Sequence, residues 1–138
     1  MIDSSILRQT QLPPPGALTE VTGKIVDAAF TVHTSLGPGL LEAVYETCLE
    51  HELLKRGQWV QRQVVFKIVY DTLQFDSAYR VDLLVDNSVV VEVKSVEALL
   101  PVHKAQLKTY LKLSGRPVGL LLNFNVALIK DGIVRVVL

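Results

Sequence analysis

The run Val89-Val90-Val91-Glu92-Val93-Lys94-Ser95 constrains this chain more than any other seven residues. Its β-branched valines favour a strand over a helix. Side chains on a strand alternate between faces, so Val89, Val91 and Val93 look one way and Val90, Glu92 and Lys94 the other. The preceding strand, Tyr79 to Val85, splits in the same manner: Val81, Leu83 and Val85 against Arg80, Asp82 and Leu84. The pairing register decides whether the acids meet. A two-residue turn at Asp86-Asn87 pairs Asp82 with Val91 and mixes charge into the valine face. A three-residue turn, Asp86-Asn87-Ser88, pairs Val85 with Val89, Leu83 with Val91 and Val81 with Val93. The opposite face then pairs Asp82 with Glu92 and Arg80 with Lys94. Asparagine tolerates the left-handed backbone that such a turn wants. The three-residue turn is therefore the expected register.

Two carboxylates directly opposite on a sheet repel each other. Lys94, two residues from Glu92, supplies one compensating cation, and a divalent metal would supply more. Oxygen donors suit magnesium, which is typically held by one or two carboxylates and keeps several waters. The alternative is a structural ion-pair cluster of Asp82, Glu92, Lys94 and Arg80, and residue chemistry leaves both readings open.

Around this pair the 138 residues read as one domain with about half its residues apolar, enough for a single core. Fourteen basic and fourteen acidic residues cancel, so polyanion binding would have to come from a local patch. The lone cysteine, Cys48, excludes an intrachain disulfide and a cysteine-held cluster and reads as a small buried hydrophobe. Met1 to Thr10 has no basic region followed by an apolar run, and no stretch approaches the roughly 18 apolar residues of a membrane span. The default expectation is cytoplasmic, with no membrane partner.

Residues 1–16, ending in Pro13-Pro14-Pro15-Gly16, read as a flexible arm before a single domain over 17–138. A first helix is expected from an N-cap at Thr19 to the stop at Gly37-Pro38-Gly39, with Val21, Ile25, Ala28, Val32 and Leu36 on its apolar stripe. A second helix spans about Leu40 to Arg56. Strands follow at Trp59–Tyr70, a short one near Leu73–Phe75, then Tyr79–Val85 and Val89–Ser95. A third helix runs from Pro101 to Ser114, Pro117–Phe124 is a strand, and Ala127–Lys130 with Ile133–Leu138 form a last hairpin around Asp131-Gly132. The order ααβββαβ plus that hairpin gives an α/β or α+β sandwich around one sheet.

The helices add candidates. At roughly 100° per residue, the second helix gathers Leu41, Val44, Tyr45, Cys48, Leu49 and Leu53 on one arc, with Glu42 inside it and Glu46 at its edge. A carboxylate on a core-facing stripe needs a partner or a metal. On the third helix, Val102, Gln106, Tyr110 and Leu113 share a face, which points Gln106 and Tyr110 inward. Lys104, Lys108 and Lys112 form a solvated stripe opposite. His33, His51 and His103 read as structural or surface residues.

Gly39, Glu42 and Tyr45, within Leu36-Gly37-Pro38-Gly39-Leu40-Leu41-Glu42, resemble the signature of the GxxExxY family, a branch of the PD-(D/E)XK nuclease superfamily. Asp82 followed by Glu92-Val93-Lys94 is similar to the superfamily's acid and (D/E)-x-K element. Gln106-x-x-x-Tyr110 resembles the QxxxY element of RecB-type members. The resemblance runs from about residue 20 to the C-terminus. Ala78 departs from it, standing where relatives tend to carry glycine, and the cysteine cluster of iron–sulfur relatives is missing. The resemblance implies a restriction-endonuclease-like core and hydrolysis of phosphodiester bonds in nucleic acid; DNA is favoured over RNA as the partner, although the sequence does not decide between them. It implies Mg²⁺ or Mn²⁺ held by Asp82, Glu92 and the Val93 carbonyl, with Glu42 completing the site directly or through water. Lys94 would orient water or stabilise the transition state, Gln106 and Tyr110 would position substrate or Lys94, and Arg80 is a secondary phosphate contact. A nuclease-fold module that only binds nucleic acid or a protein partner is the alternative. The small size of the fold leaves a homodimer open.

Overall fold

A computed structural model describes residues 15–138. The chain runs α1 (Pro15–Leu36), α2 (Glu42–Lys55), β1 (Val60–Tyr70), β2 (Leu73–Val85), β3 (Val89–Lys94), α3 (Pro101–Ser114), β4 (Val118–Asn123), a 3₁₀ turn (Ile129–Gly132) and β5 (Ile133–Val137). One sheet holds the strands in sequence order. β3 and β4 are parallel, and every other neighbouring pair is antiparallel. The helix between β3 and β4 is the crossover that a parallel pair requires. This is an α+β sandwich with a mixed central sheet, consistent with a restriction-endonuclease-like fold.

Two apolar layers enclose the sheet. On one face Ile25, Ala28, Ala29 and Val32 of α1 and Tyr45, Leu49 and Leu53 of α2 pack on Leu83, Val85, Val89, Val91, Val93, Leu120 and Leu122. On the other, Leu107 and Leu111 of α3 pack on Val81, Leu84, Val90, Leu121 and Val136. β3 and β4 are buried on both faces, which is why they read as near-continuous apolar runs.

Several expectations are corrected. α1 begins at Pro15, one turn before Thr19; proline suits a first helical turn because its missing N–H has no partner there anyway. The expected arm thus falls outside the described residues, except for Pro15 and Gly16, which open the helix. The break expected between Phe75 and Tyr79 is a bulge within one long strand. Phe66 pairs with Tyr79 and Ile68 with Phe75, so Asp76, Ser77 and Ala78 face the single residue Lys67. The last hairpin does not form. Ile129–Gly132 is a 3₁₀ turn, and β5 pairs with β4 instead. Gly132 allows this, because a Cβ there would lie 2.0 Å from the Asn123 carbonyl oxygen.

The core-facing stripe of α2 is also rotated from the expected arc. Tyr45, Glu46, Leu49 and Leu53 are buried, whereas Leu41 is 76% exposed, Val44 is 40% exposed and Glu42 lies in solvent. On α3 the buried residues are Leu107 and Leu111; Val102, Gln106 and Leu113 are exposed, and only Tyr110 of the expected face is half-buried.

Candidate active site at the fork between β2 and β3

The three-residue turn forms as expected. Val85 pairs with Val89, Leu84 with Val90 and Leu83 with Val91, and Asp86 and Asn87 both take left-handed backbones. Beyond Leu83–Val91 the ladder stops. Val81 does not join Val93: Val93 lies in the α1/α2 layer and Val81 in the α3 layer. Arg80 pairs with Val65 of β1 rather than facing Lys94. The alternation of β2 is therefore reset at Asp82, and the β1–β2 hairpin peels away from β3.

The cause lies in β1. Gln63, opposite Asp82 in register, has φ of 51° in mid-strand. Val60 packs in the α1/α2 layer and Val64 in the α3 layer, so β1 changes faces at the same level as β2. One left-handed residue turns the peptide over and breaks the two-residue period.

The acids fill the fork. Asp82 Oδ2 accepts the Val93 N–H at 2.8 Å, and Glu92 Oε1 accepts the Asp82 N–H at 3.3 Å. Each carboxylate thus takes a backbone donor that an unbroken ladder would have used. Val93 points its N–H into the fork, and the N–H and C=O of one strand residue leave on the same side, so its carbonyl faces the fork too. Glu92 is 5% exposed. Burial first, and then the Asp82 carboxylate beside it, push its carboxyl up to about 8. α3 packs on this face of the sheet against Val81, Leu84 and Val90, and its Tyr110 phenol is raised by burial first and then by the charges of Glu92 and Asp82. Gln106 is exposed, one helical turn before that phenol, and acts to lower it. Tyr110 also stacks on Tyr79, which stacks on Phe66, at 4.7 and 5.1 Å between centroids.

Lys94 is half-buried, lowers the Glu92 carboxyl electrostatically, and has no ion pair within 4 Å among the described residues. The alternative reading, a structural ion-pair cluster of Asp82, Glu92, Lys94 and Arg80, is therefore not formed. Glu42 is drawn to the same end of β3 by a route the helical arc did not suggest. Its Oε1 accepts the Ser95 N–H at 3.2 Å, and the Ser95 hydroxyl donates to the Leu40 carbonyl at 2.7 Å. Gly39, with φ of 97°, turns the chain into that approach. The Tyr45 hydroxyl accepts the Leu40 N–H and donates to the Gly37 carbonyl at 2.6 Å, while its ring stacks on Phe124. Gly39, Glu42 and Tyr45 thus act together to fasten the α1–α2 loop to the end of β3.

Three contributors were not singled out in the sequence. Glu46, expected at the edge of the apolar arc, is 6% exposed and accepts from Arg62 Nη2 and from Gln63 Nε2, both at 2.7 Å. Gln63 carries no sequence signal, because glutamine does not advertise a left-handed backbone. Asn123 does: a polar residue closing a buried apolar strand. Its side chain pairs with both the N–H and C=O of Val96 and holds the loop after Lys94. His33 and His103 are structural, the first bonded to the Val126 carbonyl and the second accepting the Leu100 N–H at the start of α3.

The donor set fits a hard divalent cation. Two carboxylates lie at the fork beside a main-chain carbonyl that faces it, and the buried Glu92 carboxyl, pushed up to about 8, would be stabilised in its ionised form by a cation. Among the described residues, no group of three or more His, Cys, Asp or Glu side chains gathers around one point, so Glu42 is not part of an all-protein cage. Nor is any described helix long and apolar enough to cross a membrane.

Compared with known proteins, the chain matches the family model of the PD-(D/E)XK nuclease superfamily over residues 19–136. Neither the comparison with curated proteins nor that with solved structures gives a match.

Proposed function

Because the chain belongs to the PD-(D/E)XK nuclease superfamily, we propose that it hydrolyses phosphodiester bonds in nucleic acid at the β2–β3 fork, as a member of the GxxExxY branch. The observation that carries this reading is the buried Asp82–Glu92 pair at the point where the ladder opens. Asp82, Glu92 and the Val93 carbonyl would hold Mg²⁺ or Mn²⁺, and Glu42 would act through water. Such an ion supplies a bound water of lowered pKa and positive charge against the phosphate. Asp82 and Glu92 are oriented by the backbone donors each accepts, so little reorganisation is needed to present their remaining oxygens. Lys94, on the same strand and without an ion pair among the described residues, orients the attacking water or stabilises charge on the phosphate. Gln106 and Tyr110 of α3 position substrate or Lys94, and the exposed Arg80 contacts a neighbouring phosphate. DNA is the favoured substrate, and a homodimer would provide the extra surface to hold a duplex.

The test is cleavage of single- and double-stranded DNA and RNA with Mg²⁺ or Mn²⁺. Activity should fall by at least about 100-fold in Lys94→Ala, the scale of a lost transition-state contact. Cleavage that survives Lys94→Ala unchanged, or none by the natural protein on any substrate, contradicts the catalytic reading. The second case leaves a module that binds without cutting.

A further inference from the structure

We propose that Gln63 is a positioning residue for the acid pair: its carboxamide, aimed by a left-handed backbone, ties Asp82 to the buried Glu46 of α2. This rests on reading Asp82 as a metal-holding carboxylate. Four residues with side chains have positive φ among the described residues. Asp71, Asp86 and Asn87 are in turns, where that is ordinary; Gln63 alone is inside a strand. A conformation that L-residues rarely adopt persists only when its surroundings hold it, and such residues concentrate at functional sites.

Here the surroundings are explicit. Gln63 Nε2 donates to Glu46 Oε1 at 2.7 Å and to Asp82 Oδ1 at 3.4 Å. The other Glu46 oxygen is taken by Arg62, the residue before Gln63, through Nη2 at 2.7 Å and Nε at 3.3 Å. Two neighbouring β1 residues thus grip one buried carboxylate from α2. That grip fixes the amide with its nitrogen toward both acids, because a carbonyl oxygen facing two carboxylates would be repelled. The Asp82 contact is the longer one, so the amide is anchored on Glu46 and restrains Oδ1 without saturating it. Asp82 is then held at both oxygens, by Gln63 on one side and by the Val93 N–H on the other. The same left-handed turn resets both strands and opens the fork. Gln63 therefore shapes the site and orients an acid within it, although it lies outside the signature elements that the sequence displays. Partners that orient a liganding group in this way commonly change metal affinity by about 10- to 100-fold when removed.

The experiment is Mn²⁺ titration calorimetry on the natural protein, Gln63→Leu and Gln63→Gly, with crystal structures of the metal-free variants. Leucine keeps the bulk and removes the donors, whereas glycine also relieves the left-handed backbone. Both should bind Mn²⁺ roughly 10- to 100-fold more weakly, while Gln63→Gly melts, metal-free, no lower than the natural protein. In the metal-free variants, Asp82 Oδ2 should leave the Val93 N–H. Affinity equal to the natural protein, or an Asp82 carboxylate unmoved, overturns the proposal. If the natural protein itself takes no Mn²⁺, the metal reading under Proposed function fails, and the Asp82 position in the variants still decides the role of Gln63.

Discussion

Replacing Glu92 with glutamine should abolish a specific loss of stability with rising pH. The natural carboxyl has an ordinary value of 4.5 and is pushed up to about 8 in the fold, by burial and then by Asp82. Below 4.5 the group is protonated in both folded and unfolded chains and costs nothing. Between 4.5 and 8 the unfolded chain ionises while the fold keeps its proton, so stability falls steadily as pH rises. Above 8 both are ionised and the curve flattens. The span is roughly 3.5 pH units at about 1.4 kcal/mol each, on the order of 5 kcal/mol before local relaxation. A carboxamide is the shape of the protonated acid and does not titrate, so Glu92→Gln should lack this decline. The assay is urea unfolding of both proteins in EDTA from pH 4.5 to 8.5. We expect the difference between their unfolding free energies to change by about 3–5 kcal/mol across that range, in favour of Glu92→Gln at the alkaline end. Parallel curves would refute the claim that Glu92 is buried as a neutral acid.

Other perturbations separate parts of the account. Tyr45→Phe keeps the ring stack on Phe124 but strands the Gly37 carbonyl and the Leu40 N–H, and should cost about 1–3 kcal/mol in urea unfolding. A neutral result would show that the α1–α2 loop is not held by that hydroxyl. Gly132→Ala sets a methyl 2.0 Å from a backbone oxygen, whereas Gly119→Ala meets only the Leu107 side chain, 2.8 Å away at its nearest atom. The first should cost at least about 3 kcal/mol and the second roughly 1 kcal/mol, since a leucine can shift rotamer and a paired strand cannot. Equal melting temperatures for the two variants would contradict the close packing of the 3₁₀ turn on the end of β4.

The sequence was most legible where one physical rule acted alone. The valines of β3, the left-handed tolerance of Asn87 and the need to bury one face together specify the register through Leu83–Val91, and they bring Asp82 and Glu92 to one level. Pro101 and Gly115 mark α3 to the residue. Legibility failed where two elements compete. Helical periodicity on α2 gave a plausible arc, but docking on the sheet chose a neighbouring one, burying Glu46 and leaving Leu41 outside. Glu42 reached the end of β3 through the loop at Gly39 rather than through the core face of its helix. On α3, helical spacing points Gln106 and Tyr110 equally inward, whereas Tyr110 alone reaches the half-buried layer. The fork itself was invisible, because nothing in a glutamine signals that Gln63 will adopt positive φ and turn two strands over at once.

The divalent-cation site proposed at the Asp82–Glu92 pair can be observed directly. Its most direct test is a crystal of the natural protein soaked in Mn²⁺, with anomalous density measured at the fork. The account predicts one anomalous peak within bonding distance of both carboxylates and the Val93 carbonyl, absent from Asp82→Asn crystals treated identically. A fork that stays without density in the natural protein, with the Glu92 carboxyl still against the Asp82 N–H, would contradict it.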